Sequence, residues 1–139
     1  MSPYREVDHT ADWALRVWAP TLAELFVDAA RGMYDLVGAA PDVAAAEAAG
    51  TVRREVVLTA GDYESLLVAW LQELLYFTES EGLVFDGFKI EALAPTGLRA
   101  EIAGRPMERP VKVIKAVTYH NLALSTTDSG YEVTVVFDV

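Results

Sequence analysis

The stretch DYESLLVAWLQELLYFTES, residues 62–80, decides how the rest of the chain must fold. At about 100° per residue, Leu66, Leu67, Trp70, Leu71, Leu74 and Phe77 fall on one broad arc of a helix. Glu64, Ser65, Gln72 and Glu79 gather on the opposite side, with Tyr76 near them. Glu73 lies at the border, about 20° from Leu66 and about 40° from Phe77. It is either a boundary residue or a partly buried carboxylate paired with Lys115 or Arg16. Asp62 can cap the helix start, because its carboxylate accepts from an amide of the first turn. Gly82 is placed to end it. So little of this surface is polar that the helix needs a sheet to cover it.

Before it, residues 51–58 read as a strand, and the alanine-rich residues 39–50 as a connection. Further back, Thr21 and Glu24 have capping-box spacing. Leu22, Leu25, Phe26, Ala29, Ala30, Met33 and Leu36 recur at helical spacing up to Gly38. In residues 13–19, Trp13, Leu15, Val17 and Ala19 alternate with Ala14, Arg16 and Trp18, which predicts a strand. A short strand is expected over residues 4–8, followed by the polar turn Asp8-His9-Thr10-Ala11-Asp12.

After the helix the period becomes two. Phe88, Ile90 and Ala92 alternate with Lys89 and Glu91, and Leu98, Ala100 and Ile102 with Arg99 and Glu101. With Pro95-Thr96-Gly97 between them, they predict a hairpin. Residues 104–110 read as a polar loop and 111–124 as one or two strands. Asp128-Ser129-Gly130 is a tight turn before a last strand through Tyr131, Val133, Val135 and Phe137. The order is strand, strand, helix, strand, helix, then about five strands. That order predicts an α+β fold, a mixed and largely antiparallel sheet with two main helices, and not a doubly wound parallel one. No Gly-rich phosphate-binding turn precedes either helix.

At 139 residues with 53% hydrophobic content, a single domain spanning 1–139 with an ample core is expected. Cysteine is absent, which excludes disulfides, cysteine-bound zinc and a thiol nucleophile and fits a cytoplasmic location. Neither a signal peptide nor an apolar run of membrane-spanning length is present. The formal charge of −10, with no cluster of Lys and Arg, argues against direct nucleic-acid binding. Acidity of this size suits metal ions, a basic protein partner, or solubility alone.

Three places hold polar groups that packing alone would not select. The first is residues 8–12, with two carboxylates and an imidazole between strands; a turn bonded to its own backbone is the ordinary alternative. The second is Asp138-Val139. If Val139 is the natural end, its α-carboxylate adjoins that of Asp138, and the two repel unless a cation or donor lies between them. Hard ions such as Ca²⁺ or Mg²⁺ take such oxygen ligands; an exposed terminus in water is the commoner case. The third is Lys115, which an extended strand puts on one side with Val111, Val113, Val117 and Tyr119. A lysine there must snorkel, pair, face a cleft, or guard a strand edge. His120 falls on the other face and matches no zinc spacing.

In these motifs the sequence resembles the archease family. They are D-H-T-A-D near the start, L-L-x-x-W-L-x-E-L-L-Y from Leu66 to Tyr76, K-A-V-T-Y-H from Lys115 to His120, and the terminal V-x-F-D-V. The match covers the whole chain in order. The resemblance implies a helper, not an enzyme: a protein cofactor of the GTP-dependent, RtcB-type tRNA-splicing RNA ligase. In that role it promotes transfer of GMP to the ligase's own histidine and supports multiple turnover. It implies one strand–helix–strand–strand unit inserted in another. It also implies a divalent metal, typically calcium, held by Asp12, Asp138 and Val139, with Lys115 important for activating the ligase. Three departures accompany it: Gln72 where the family usually has Asn, Trp13-Ala14-Leu15 in place of an Ile-Gly-containing stretch, and Ala19-Pro20 where a Gly is frequent. Two other functions stay open on the residues alone. One is a metal-dependent hydrolase or phosphotransferase using Asp12, Asp138 and Lys115. The other is a chaperone-like binder with Trp18 exposed.

Overall fold

The Asp62 side chain accepts from the Ser65 amide at 2.7 Å, and Gly82 closes the same helix in a left-handed conformation, φ 67°. The main helix is therefore bounded where its caps require. The structure is a computed structural model that describes residues 3–7, 13–39, 50–107, 114–119 and 122–139. The expected turn at 8–12, residues 40–49 of the alanine-rich connection, residues 108–113 and His120 lie outside the described residues.

The elements are β1 (Tyr4–Val7), β2 (Trp13–Ala19), α1 (Leu22–Val37), β3 (Val52–Thr59), α2 (Tyr63–Glu81), β4 (Leu83–Ala94), β5 (Gly97–Pro106), β6 (Ala116–Thr118), β7 (Ser125–Thr127) and β8 (Gly130–Asp138). The first helix starts as its sequence predicts, with Thr21 accepting from the Glu24 amide at 3.2 Å. Among the described residues the strands form two sheets and not a single one. The larger has the order β1-β2-β8-β6, with β7 also paired to β8; the smaller has the order β3-β5-β4. Every ladder among the described residues is antiparallel. The contiguous run β3-α2-β4-β5 thus builds its own sheet between α1 and β6. That is the expected insertion of one strand–helix–strand–strand unit within another.

One buried cluster joins both helices to both sheets. Leu15, Val17, Val133, Val135 and Phe137 enter it from the larger sheet, and Val56, Leu98, Ala100 and Ile102 from the smaller. Trp70 is fully buried at its centre. Its indole N–H donates to the Phe26 carbonyl at 2.9 Å, which fixes α2 against α1 without leaving a buried donor unpaired. Tyr34 makes a second tie between the helices, its hydroxyl 3.0 Å from that of Thr78.

Several boundaries differ from expectation; residues 122–124 are not strand, while Ser125–Thr127 form β7. β4 begins at Leu83, because Leu83, Val84 and Phe85 are all buried and enter the core directly after Gly82. β5 runs to Pro106, so Gly104, Arg105 and Pro106 are strand and not loop. Gly104 has a steric reason to be glycine there: a Cβ would collide with the Val84 carbonyl oxygen and the Phe85 ring.

Candidate functional site at the end of the larger sheet

Strand β8 is central, and its last residues are bordered on both sides. On one side β2 pairs with it down to Trp13↔Phe137. On the other, β6 begins with Ala116↔Asp138. The Lys115 amide continues this ladder and donates to the Asp138 carbonyl at 2.7 Å. The Thr118 hydroxyl also donates to the Val136 carbonyl at 3.0 Å. Both faces of the sheet are buried here, Leu15, Val135 and Phe137 on the core side and the partners Ala14 and Val136 on the other. Burial on both sides makes this end a firm platform for exposed groups.

Those groups are Asp138 and Lys115, both exposed; Val139 is half-buried and packs against the core. The backbone thus brings together Lys115, Asp138 and Val139, together with the start of β2. Asp12, the third expected ligand, lies outside the described residues, as does His9. Among the described residues, no group of three or more His, Cys, Asp or Glu side chains clusters to hold a metal.

Of the residues expected to share a strand side with Lys115, Val111 and Val113 lie outside the described residues. Lys115 precedes β6 and is exposed, whereas Val117 is buried and Tyr119 is 60% exposed. The regular alternation expected for an extended strand fails here because β6 has only three residues. Glu73 is half-buried, and among the described residues it forms no ion pair with Lys115 or Arg16; Arg16 pairs with Glu132 of β8.

The part that Gln72 plays in this region is not visible in the sequence. The Gln72 side-chain oxygen accepts from the Val117 amide at 3.0 Å, linking α2 to β6. In the sequence, residue 72 is a polar amide on the helix's polar side and a departure from the Asn usual in the family it resembles. Its partner is 45 positions away and belongs to another motif. This bond holds the short strand that directly follows Lys115.

The architecture defines a class: a small acidic α+β protein of two antiparallel sheets, one unit inserted in the other, with a lysine tied to an acidic strand end. The chain belongs to the archease family. The model of the Archease protein family matches residues 4–139. The chain is 36% identical over 144 residues to the archease of Methanosarcina acetivorans, covering 98% of this chain and 95% of that one. It is 36% identical over 143 residues to the archease of Archaeoglobus fulgidus, covering 98% of each. Among solved structures, protein 1598 of Methanobacterium thermoautotrophicum superposes with a TM-score of 0.72 at 28% identity over 100% of both chains. The Thermotoga maritima archease, described as a possible chaperone, shares the fold with a TM-score of 0.69 at 20% identity, covering 97% of this chain and 96% of that one. No helix among the described residues is long and apolar enough to cross a membrane.

Proposed function

We propose that this archease is a metal-dependent protein cofactor of a GTP-dependent RNA ligase of the RtcB type, acting in the cytoplasm. It binds and prepares a partner and transfers no group itself. The observation that carries this reading is the 2.7 Å bond from the Lys115 amide to the Asp138 carbonyl. It ties the one lysine of the K-A-V-T-Y-H motif to the acidic end of β8, so a partner meeting one must meet the other.

The donor chemistry suits a hard divalent ion such as calcium. Asp138 presents an exposed carboxylate, and Val139, where it ends the chain, adds its α-carboxylate. The β2–β8 ladder reaches Trp13↔Phe137, and the residue on the far side of each is an aspartate, Asp12 and Asp138. Three carboxyl groups drawn together repel, and a bound cation offsets that repulsion and orders the end of the sheet. Lys115 keeps its positive charge exposed beside them, free to meet the ligase or its nucleotide. The formal charge of −10 favours a basic, RNA-handling partner.

The test is the yield of guanylylated ligase from GTP, with and without this protein, over a range of Ca²⁺ and Mg²⁺ concentrations. A higher yield with the protein supports the reading. An unchanged yield at every metal concentration overturns it.

A further inference from the structure

Trp18 has no part in the end of the sheet described above, and neither do the two arginines beside it. Arg5 of β1 and Arg16 of β2 are directly opposed Cα partners. Trp18 lies two residues beyond Arg16 and on the same face, opposite Glu132 of β8. Like charges facing each other across a ladder destabilise it unless answered. One of the two is answered, since Arg16 pairs with Glu132. Asp28, on the rim, is engaged by Arg31 at 3.8 Å. That leaves Arg5, which is exposed and has no counter-charge among the described residues. Arg5, Arg16, Trp18 and Tyr131 line an open cleft of about 620 Å³. Its size is that of a small-molecule site, and its walls combine a cation unanswered among the described residues, half-buried aromatic rings, and the Glu132 and Asp28 carboxylates that Arg16 and Arg31 engage.

We propose that this cleft binds a nucleoside monophosphate, with the phosphate on the Arg5 guanidinium and the base against the Trp18 indole. The guanidinium fork matches phosphate oxygens in pairs. The indole offers a flat face on which any base can stack. A single nucleotide fits better than a strand: with a formal charge of −10, the protein repels each further phosphate it does not neutralise. The site lies on a different part of the sheet from Lys115 and Asp138, so it stands or falls apart from the ligase reading.

Titration calorimetry of the full chain with adenosine 5′-monophosphate tests it, with inorganic phosphate, adenosine and a 5′-phosphorylated hexaribonucleotide as separate arms. The expected result is saturable binding of the monophosphate, with phosphate alone and adenosine alone each at least about tenfold weaker. Arg5→Gln and Trp18→Leu each weaken the monophosphate by about tenfold, and Trp18→Phe restores most of the loss. The hexanucleotide binds no more tightly than the monophosphate. The proposal is overturned if the monophosphate fails to saturate, if Arg5→Gln binds it like the wild type, if phosphate alone binds as well, or if the hexanucleotide binds more tightly. Arg5 is exposed, so its substitution leaves the fold intact and keeps the test decisive even if Trp18→Leu disturbs β2.

Discussion

The amide of Lys115 and the carbonyl of Asp138 are joined by a 2.7 Å hydrogen bond, the first rung of the β6–β8 pairing. This bond is made by backbone atoms, so it is open to any residue but proline at position 115. Structure and charge at that position are therefore separable by mutation.

Lys115→Ala keeps the rung and removes the charge. Because the side chain is exposed, the expected change in stability is within about 0.5 kcal/mol. Activation of the ligase is expected to fall sharply. Denaturant unfolding and the guanylylation assay, run on the same preparation, check both halves. A large loss of stability would mean that the lysine is structural.

Gln72→Ala removes the side-chain acceptor of the Val117 amide. The expected cost is about 1 kcal/mol, the ordinary value of one such bond. The effect should be local, with hydrogen exchange at Val117 accelerated far more than exchange in β3 or β5. Uniform acceleration across both sheets would show that Gln72 supports the whole core and not β6 in particular.

Alkaline pH should weaken the fold through tyrosines. Tyr4 donates its hydroxyl hydrogen to the Asp35 carboxylate, and that bond, aided by burial, pushes its pKa up to about 12. Burial raises that of Tyr34 as well. A folded pKa above the unfolded value near 10 means that the contribution is whole below pH about 10 and is lost as pH rises towards 12. Urea midpoints should therefore fall between about pH 10 and 12. Tyr4→Phe should make that fall shallower without abolishing it, because Tyr34 remains. An identical slope in Tyr4→Phe would show that the Asp35 bond does not matter in solution.

Much of this architecture is legible in the sequence because it is encoded locally. Residues 62–80 carry their own caps and a continuous apolar arc, and α2 follows them closely. The residues from Leu22 to Leu36 named by their helical spacing face the core almost without exception. Where local signals conflict with tertiary demands, the reading slips. Gly104 and Pro106 look like loop residues, yet Gly104 is needed for close approach to Val84, and Pro106 stands at a strand end opposite Leu83. Leu83, Val84 and Phe85 show no alternation because all three are buried. Period-two patterns identify strands but not their partners, so the division into two sheets is hidden. At the candidate site, the sequence shows a last strand ending in Asp138 and the resemblance singles out Lys115, but the backbone bond between the two is seen only in the structure. The Gln72–Val117 link is hidden too, because nothing local ties residues 45 positions apart.

The most direct test of the central claim is thermal unfolding in the presence and absence of Ca²⁺, for the wild type and for Asp12→Ala and Asp138→Ala. A ligand that binds only the folded state stabilises it by about 2.7 kcal/mol at a hundred times its Kd. The predicted result is a calcium-dependent rise in Tm for the wild type that each substitution removes. A rise that survives both substitutions, or no rise in the wild type at any calcium concentration, would contradict a cation held between the two ends of the chain.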